Sequence, residues 1–137
     1  MKKISCIFII CMAVIVCAGC SLEKKLTTEL AQRAINQWCA NDNRGAVTVT
    51  GILEQPQENA ARADMTFSNF KFNYREPMFG QTSKQTYSGN GVAIFSHYND
   101  GRWILTQVVL STPGVWGPIQ WNNINIVATG KDASLSK

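Results

Sequence analysis

Apolar residues recur with two different periods along this chain. Leu26, Leu30, Ala34 and Trp38 step by four, with Ala31 and Ile35 on the same side. That spacing predicts an amphipathic helix from Thr27 or Thr28 to about Ala40, with Glu29, Gln32, Arg33 and Asn36 outward. Thr27 or Thr28 suits the N-cap, and Glu29 places a carboxylate at the positive end of the helix dipole. The run Asn41-Asp42-Asn43-Arg44-Gly45 stops the helix.

From Ala46 the period becomes two. Val47, Val49 and Leu53 alternate with Thr48, Thr50 and Glu54, which predicts a strand over Ala46–Glu54. A polar loop follows from Gln55 to Ala61. The next strand, Arg62–Tyr74, places Ala63, Met65 and Phe67 on one face, and then the apolar phase moves to Phe70, Phe72 and Tyr74. We expect a β-bulge near Ser68-Asn69 to keep both sets inward. Arg75–Thr86 reads as a long loop containing the aperiodic pair Met78-Phe79. Tyr87–Tyr98 and Arg102–Ser111 read as a hairpin turning at Asp100-Gly101, which sets Tyr98 opposite Trp103. That register groups Val92, Ile94, Tyr98, Trp103, Leu105 and Val109 on one face. A second long loop is expected around Trp116, over Thr112–Pro118, then a last strand within Ile119–Ala128 and a disordered tail over 129–137.

The first residues follow neither period. Lys2 and Lys3 precede an apolar run from Ile4 to Val16 and a small-residue segment ending at Cys20. The run from Ile4 to Gly19 falls short of the ~20 residues that cross a bilayer, and the arrangement reads as a secretory signal. Ala18-Gly19-Cys20 resembles the lipobox of bacterial lipoproteins, with Cys17 where that family usually has leucine. The resemblance implies cleavage between Gly19 and Cys20, and fatty acylation of Cys20, palmitate included. It also implies anchoring to a cell membrane or outer membrane, facing the periplasm or exterior. Residues 1–19 are then signal peptide, 20–26 a tether and 27–128 one domain.

That segment changes what composition means. The precursor carries 13 Lys+Arg against 9 Asp+Glu, and two of the lysines leave with the signal. The residual excess is no nucleic-acid footprint. Of five cysteines, three lie in the signal and Cys20 is taken by lipid, leaving Cys39 alone. No internal disulfide or cysteine zinc site is therefore expected.

Chemistry-bearing residues are sparse. His97 is the only histidine, and a general base needs an orienting or nucleophilic neighbour. Cys39 follows the helix's apolar stripe and reads as a buried filler. Glu54, Glu58, Asp64, Glu76 and Asp100 are dispersed, and Gly89-Asn90-Gly91 precedes a strand rather than a helix, so no phosphate loop is indicated. Neither a cofactor nor a metal is implied. Met78, Phe79 and Trp116 remain as loop residues suited to a partner or ligand surface.

One amphipathic helix leading into four to five antiparallel strands is an α+β pattern, with an N-terminal helix packed on a curved sheet. This order resembles a cystatin-like fold. Gln107-Val108-Val109-Leu110-Ser111 also resembles the Gln-x-Val-x-Gly inhibitory loop of cystatins, but it ends in serine and falls inside an expected strand. The function expected is a non-catalytic binding or scaffolding module of the cell envelope, whose partner is an envelope protein or ligand. The alternatives are an inhibitor of or accessory to an envelope hydrolase, favoured by a pocket grouping His97 with a carboxylate, and a carrier of a small apolar ligand. A dry cavity lined by Phe67, Phe72 and Trp103 would favour the carrier.

Overall fold

The structure, a computed structural model, describes residues 25–114 and 117–129, except for the side chains of 112–117. The expected signal, Gly19 and Cys20, the residues 130–137 and Trp116 lie outside the described residues. The described chain is α+β: one α-helix, α1 (Thr28–Asn41), against an open antiparallel sheet. The strands are β1 (Ala46–Gln55), β2 (Ala60–Arg75), β3 (Thr82–His97), β4 (Trp103–Gly114), β5 (Gly117–Trp121) and β6 (Ile126–Val127). They lie in sequence order from β1 to β5, and β6 pairs with the same strand as β5, namely β4.

Two points of the expected architecture are corrected. The helix is internal to the chain, and the sheet has six strands rather than four to five. The extra strand arises because the segment read as one last strand is interrupted by Asn122-Asn123-Ile124-Asn125, where Asn123 takes a positive φ of 59°. Asparagine tolerates that left-handed conformation better than other side chains. The chain leaves the ladder at Trp121 and rejoins it at Ile126, opposite Leu105.

The helix starts where its cap chemistry dictates. Thr27 has extended backbone angles, and its Oγ1 accepts a hydrogen bond from the Leu30 amide at 3.2 Å. Ala31, Ala34, Ile35, Trp38 and Cys39 form the buried stripe. Beneath it the sheet offers small residues: Ala61, Ala63 and Ala93 are wholly buried, and Ala63 faces Ala93 across β2 and β3. Phe67, Phe70, Phe95, Met65, Leu105 and Leu110 fill the remaining volume. Gln32, expected outward, instead clamps the outer edge of β1. Its Nε2 donates to the Val47 carbonyl and its Oε1 accepts from the Val49 amide, each at 2.7 Å. One side chain thus takes the place of a neighbouring strand on an exposed edge.

Bulges decide which residues face the helix. The expected one is present: pairing of β2 with β3 shifts between Phe67 and Phe70, and Asn69 sits at φ 50°. A second, at Thr50, was not expected. It reverses the phase of β1, so Ile52 packs on the core while Leu53 is 60% exposed. The β3–β4 connection also differs. Tyr98 donates to the Arg102 carbonyl and Gly101 donates to the Tyr98 carbonyl, which makes Asn99-Asp100-Gly101 a three-residue loop with Gly101 at φ 84°. His97, not Tyr98, therefore faces Trp103. The slip moves Ala93, Phe95, Trp103 and Leu105 to one inner face and leaves Tyr98 exposed.

Both expected long loops are shortened by strand. β2 and β3 remain paired as far as Arg75↔Thr82, and β4 pairs with β5 out to Gly114↔Gly117. Thr129, expected to begin a free tail, is buried, and its Oγ1 accepts from the Trp103 amide at 2.8 Å.

Candidate functional site

The β2–β3 hairpin outruns its neighbours. Pairing of β1 with β2 ends at Ala46↔Ser68, and pairing of β3 with β4 ends at Gly91↔Leu110. Beyond those points β2 and β3 continue as a two-stranded arm to Arg75 and Thr82. Met78 and Phe79 lie at its tip, 65% and 72% exposed. These are the two described residues of the sequence-predicted surface, and the fold presents both to solvent.

The arm leaves the sheet at the helix's C-terminal end. There the Lys71 amide donates to the Arg44 carbonyl at 2.7 Å, tying the α1–β1 turn to the arm's root. Gly45 allows this approach: with φ at 111°, an added Cβ would stand 2.8 Å from the Asn69 carbonyl oxygen. The helix's first turn lies at the other end, where Lys25 shares a cavity with Asn59 and His97. Fourteen helical residues span roughly 20 Å. The arm's strand from Phe70 to Arg75 adds about 17 Å at strand rise. The exposed tip is therefore up to roughly 40 Å from Lys25, beside the helix's first turn.

A cleft of ≈ 730 Å³ opens at the arm's root. The turn after α1 supplies Asp42, Asn43 and Arg44. The arm supplies Lys71, Phe72 and Asn73 from β2 and Lys84, Gln85 and Thr86 from β3, and β5 supplies Trp121. The bulge at Ser68-Asn69 brings Phe72 to this place, since without it Phe72 faces the opposite side of the sheet. Trp121 meets Phe72 edge-on at 5.6 Å and 89°, and Trp38 at 5.4 Å and 68°.

The Arg44 charge is held on several sides. Its side chain is 15% exposed, and its guanidinium lies 4.7 Å from the Trp38 ring centre and 5.3 Å from that of Trp121. Its Nε donates to Asp42 Oδ2 at 2.8 Å, Nη2 bonds the same oxygen, and Nη1 is buried without an acceptor. Lys71 and Lys84 are exposed and form no ion pair among the described residues. By strand alternation Lys71 and Lys84 leave the arm on the face opposite Phe72, so Arg44 and Asp42 are the charges set beside the aromatic pair. Cys39, one helical turn before the cleft, is buried. Desolvation pushes its thiol from 9.0 up to about 11, against the opposing pull of the Arg44 charge.

At the opposite end a cavity of ≈ 280 Å³ is lined by Lys25, Glu54, Pro56, Asn59, His97 and Trp103. His97 stacks on Trp103 with centroids 4.4 Å apart, its amide donates to the Asn59 carbonyl at 2.7 Å, and its Nε2 is buried without a partner. No spacing in the chain announces that Glu54 and His97 share a cavity, because the Thr50 bulge governs where Glu54 falls. Asp64 pairs with Arg62 and Asp100 with Arg102, both on the surface. The Arg102 amide donates to Asp100 and, with its side chain, holds that carboxyl below the usual range. Among the described residues no three His, Cys, Asp or Glu side chains converge as metal ligands, and no helix is long and apolar enough to cross a membrane.

Three residues proposed to line an apolar ligand cavity are dispersed. Phe72 lines the cleft, Trp103 lines the His97 cavity, and Phe67 is fully packed against Phe70 and Tyr87. Gln107–Ser111 lies in β4 between β3 and β5, not in a loop. The chain matches no family model, and neither curated proteins nor solved structures show a match.

Proposed function

We propose that this chain is an envelope lipoprotein, anchored to the cell membrane or outer membrane through acylated Cys20 and facing the periplasm or exterior. Its domain binds or scaffolds another envelope component without catalysis. The observation that carries the binding role is the arm, whose tip exposes Met78 and Phe79 far from the tethered end. Solvent-exposed large apolar side chains on a stiff projection cost solubility, and a partner that buries them offsets that cost. With the tether at the helix's first turn, the tip is directed away from the anchoring bilayer. We also infer a cystatin-like wrap of sheet around helix, aided by the bulges of β1 and β2; fold likeness of this kind carries no function.

The test uses the full-length protein in its host membranes. Cys20→Ser is expected to abolish labelling by a radioactive fatty acid, and normal labelling in that variant refutes the anchor. Replacing Met78, Phe79 and Trp116 together with serine is expected to lose partners in a membrane pull-down. A folded variant that keeps every partner refutes the binding surface.

A second reading, an accessory to or inhibitor of an envelope hydrolase, is favoured by the cavity grouping His97 with Glu54. On that reading His97→Ala alters hydrolase activity in the membranes while the arm variant does not.

A further inference from the structure

We propose that the free edge of β3 along the arm pairs with the same edge of a second copy of this chain, joining the two arms into one ribbon about a two-fold axis. β3 is paired with β4 only as far as Gly91, so among the described residues no strand lies beside its other edge from Thr82 to Asn90. One bond fixes which groups that edge presents. The Lys71 amide points away from β3, to the Arg44 carbonyl, so in the pair Lys71↔Thr86 the Thr86 amide and carbonyl point away from β2. By alternation Thr82, Lys84 and Ser88 present their backbone groups on the same open side, and all four residues are exposed. At the root the Asn90 carbonyl accepts from the Tyr87 hydroxyl at 2.6 Å, which closes the free stretch.

Other edges are blunted. Gln32 clamps that of β1 at Val47 and Val49, and the bulge at Thr50 breaks it. β5 is only five residues long and contains Pro118. The β3 edge has no proline, and the bulge beside it belongs to β2. Its free stretch is centred on Thr86, which is why a second copy fits it. A two-fold axis there sets Thr86 opposite Thr86 of the second copy, Lys84 opposite Ser88 and Thr82 opposite Asn90, with about six backbone hydrogen bonds between the strands. Lys84 is the only charge in the stretch and meets a serine, while Lys71 and Arg75 lie one strand further out, so no like charges face each other. A strand of acidic residues finds a single cation on this edge. The pairing depends on neither membrane anchoring nor the arm's tip.

The experiment follows the purified full chain in nonionic detergent by sedimentation over a concentration series, where a monomer–dimer equilibrium is expected. Thr86→Pro removes an amide that bonds nothing within the arm, so the arm tolerates it, and the dimer's dissociation constant is expected to rise tenfold or more. Thr86→Lys and Thr86→Glu each set like charges across the two-fold axis and are expected to weaken self-association to a similar extent. An equimolar mixture of those two variants is expected to regain the dimer as the mixed pair. On oxidation Thr86→Cys is expected to form a disulfide-linked dimer, because directly opposite, hydrogen-bonded residues have Cα atoms about 5.5 Å apart. Asn73→Cys, on the outer strand β2, is expected to form none above the parent's background. A parent that stays monomeric at every concentration overturns the proposal. So does a dimer as tight in folded Thr86→Pro or Thr86→Lys as in the parent, or cross-linking at Asn73 equal to that at Thr86. A monomeric parent that loses a foreign protein from a membrane pull-down on Thr86→Pro substitution assigns the edge to another chain and overturns it as well.

Discussion

Trp38→Ala removes the side chain at which the helix, the arm and the cleft meet. Trp38 is only 6% exposed. It stacks on Phe70 with centroids 5.4 Å apart at 23°, meets Trp121 edge-on at 5.4 Å, and carries the Arg44 guanidinium at 4.7 Å. Truncation of a buried tryptophan costs about 3–5 kcal/mol. The ring contacts and the cation–π contact each bring roughly 0.5–1.5 kcal/mol, in part already counted in that range. Loss of the ring also leaves Arg44, whose Nη1 has no acceptor, beside a void. We expect a loss of about 4 kcal/mol, a large share of the ~5–15 kcal/mol that holds a domain together. With a urea slope near 1.5 kcal/mol/M, the unfolding midpoint falls by roughly 2–3 M. Trp38→Phe keeps a ring and is expected to lose about half as much. Amide exchange provides a local readout. The Lys71 amide, bonded to the Arg44 carbonyl, is expected to exchange faster in Trp38→Ala, because the turn it grips has lost its support. An unfolding midpoint within 0.5 M of the parent refutes the assignment of Trp38 as the common packing point.

Gln32→Ala is expected to lose about 1–2 kcal/mol in urea unfolding, through two hydrogen bonds to β1, and to associate at high concentration in light scattering once that edge is bare. Asn36→Ala, which removes only a helix-surface bond to Gln32, is expected to stay within about 0.5 kcal/mol. Cys39 binds its proton more tightly folded than unfolded, so its stabilising effect is whole below about pH 9 and disappears as pH rises toward 11, an effect on the order of 2 kcal/mol. Unfolding midpoints measured from pH 8 to pH 11 are expected to fall more steeply in the parent than in Cys39→Ala.

What the sequence disclosed depended on whether a slip in phase left a trace. The bulge at Ser68-Asn69 was legible because aromatic residues mark both sides of it: Phe67 before, Phe70 and Phe72 after. The bulge at Thr50 was not, because Ile52 and Leu53 are adjacent and equally apolar, so either one completes an alternating pattern. Asn99-Asp100-Gly101 is compatible with a two-residue or a three-residue loop, and that single residue decided whether Tyr98 or His97 faced Trp103. The helix is readable from its cap and its stripe, yet Gln32 on its polar side reads as a solvent residue. Nothing local tells a glutamine that it lies over a strand edge.

The same limit explains the two cavities. Each is assembled from segments far apart in the chain, and each depends on a bulge. Phe72 reaches the cleft because Asn69 adopts a left-handed conformation, and Glu54 reaches the His97 cavity because β1 shifts at Thr50. Ladder pairing alone leaves the sheet a uniform surface. Bulges break that uniformity and turn particular side chains toward positions that regular alternation forbids. The cleft beside the arm and the cavity beside the helix's first turn lie on either side of one filled core. Phe70 and Trp38 fasten the arm's root into the core, while its last residues stand clear of every other element. The root so fastened also borders the cleft, since Phe72, two residues along the arm from Phe70, meets Trp121 edge-on.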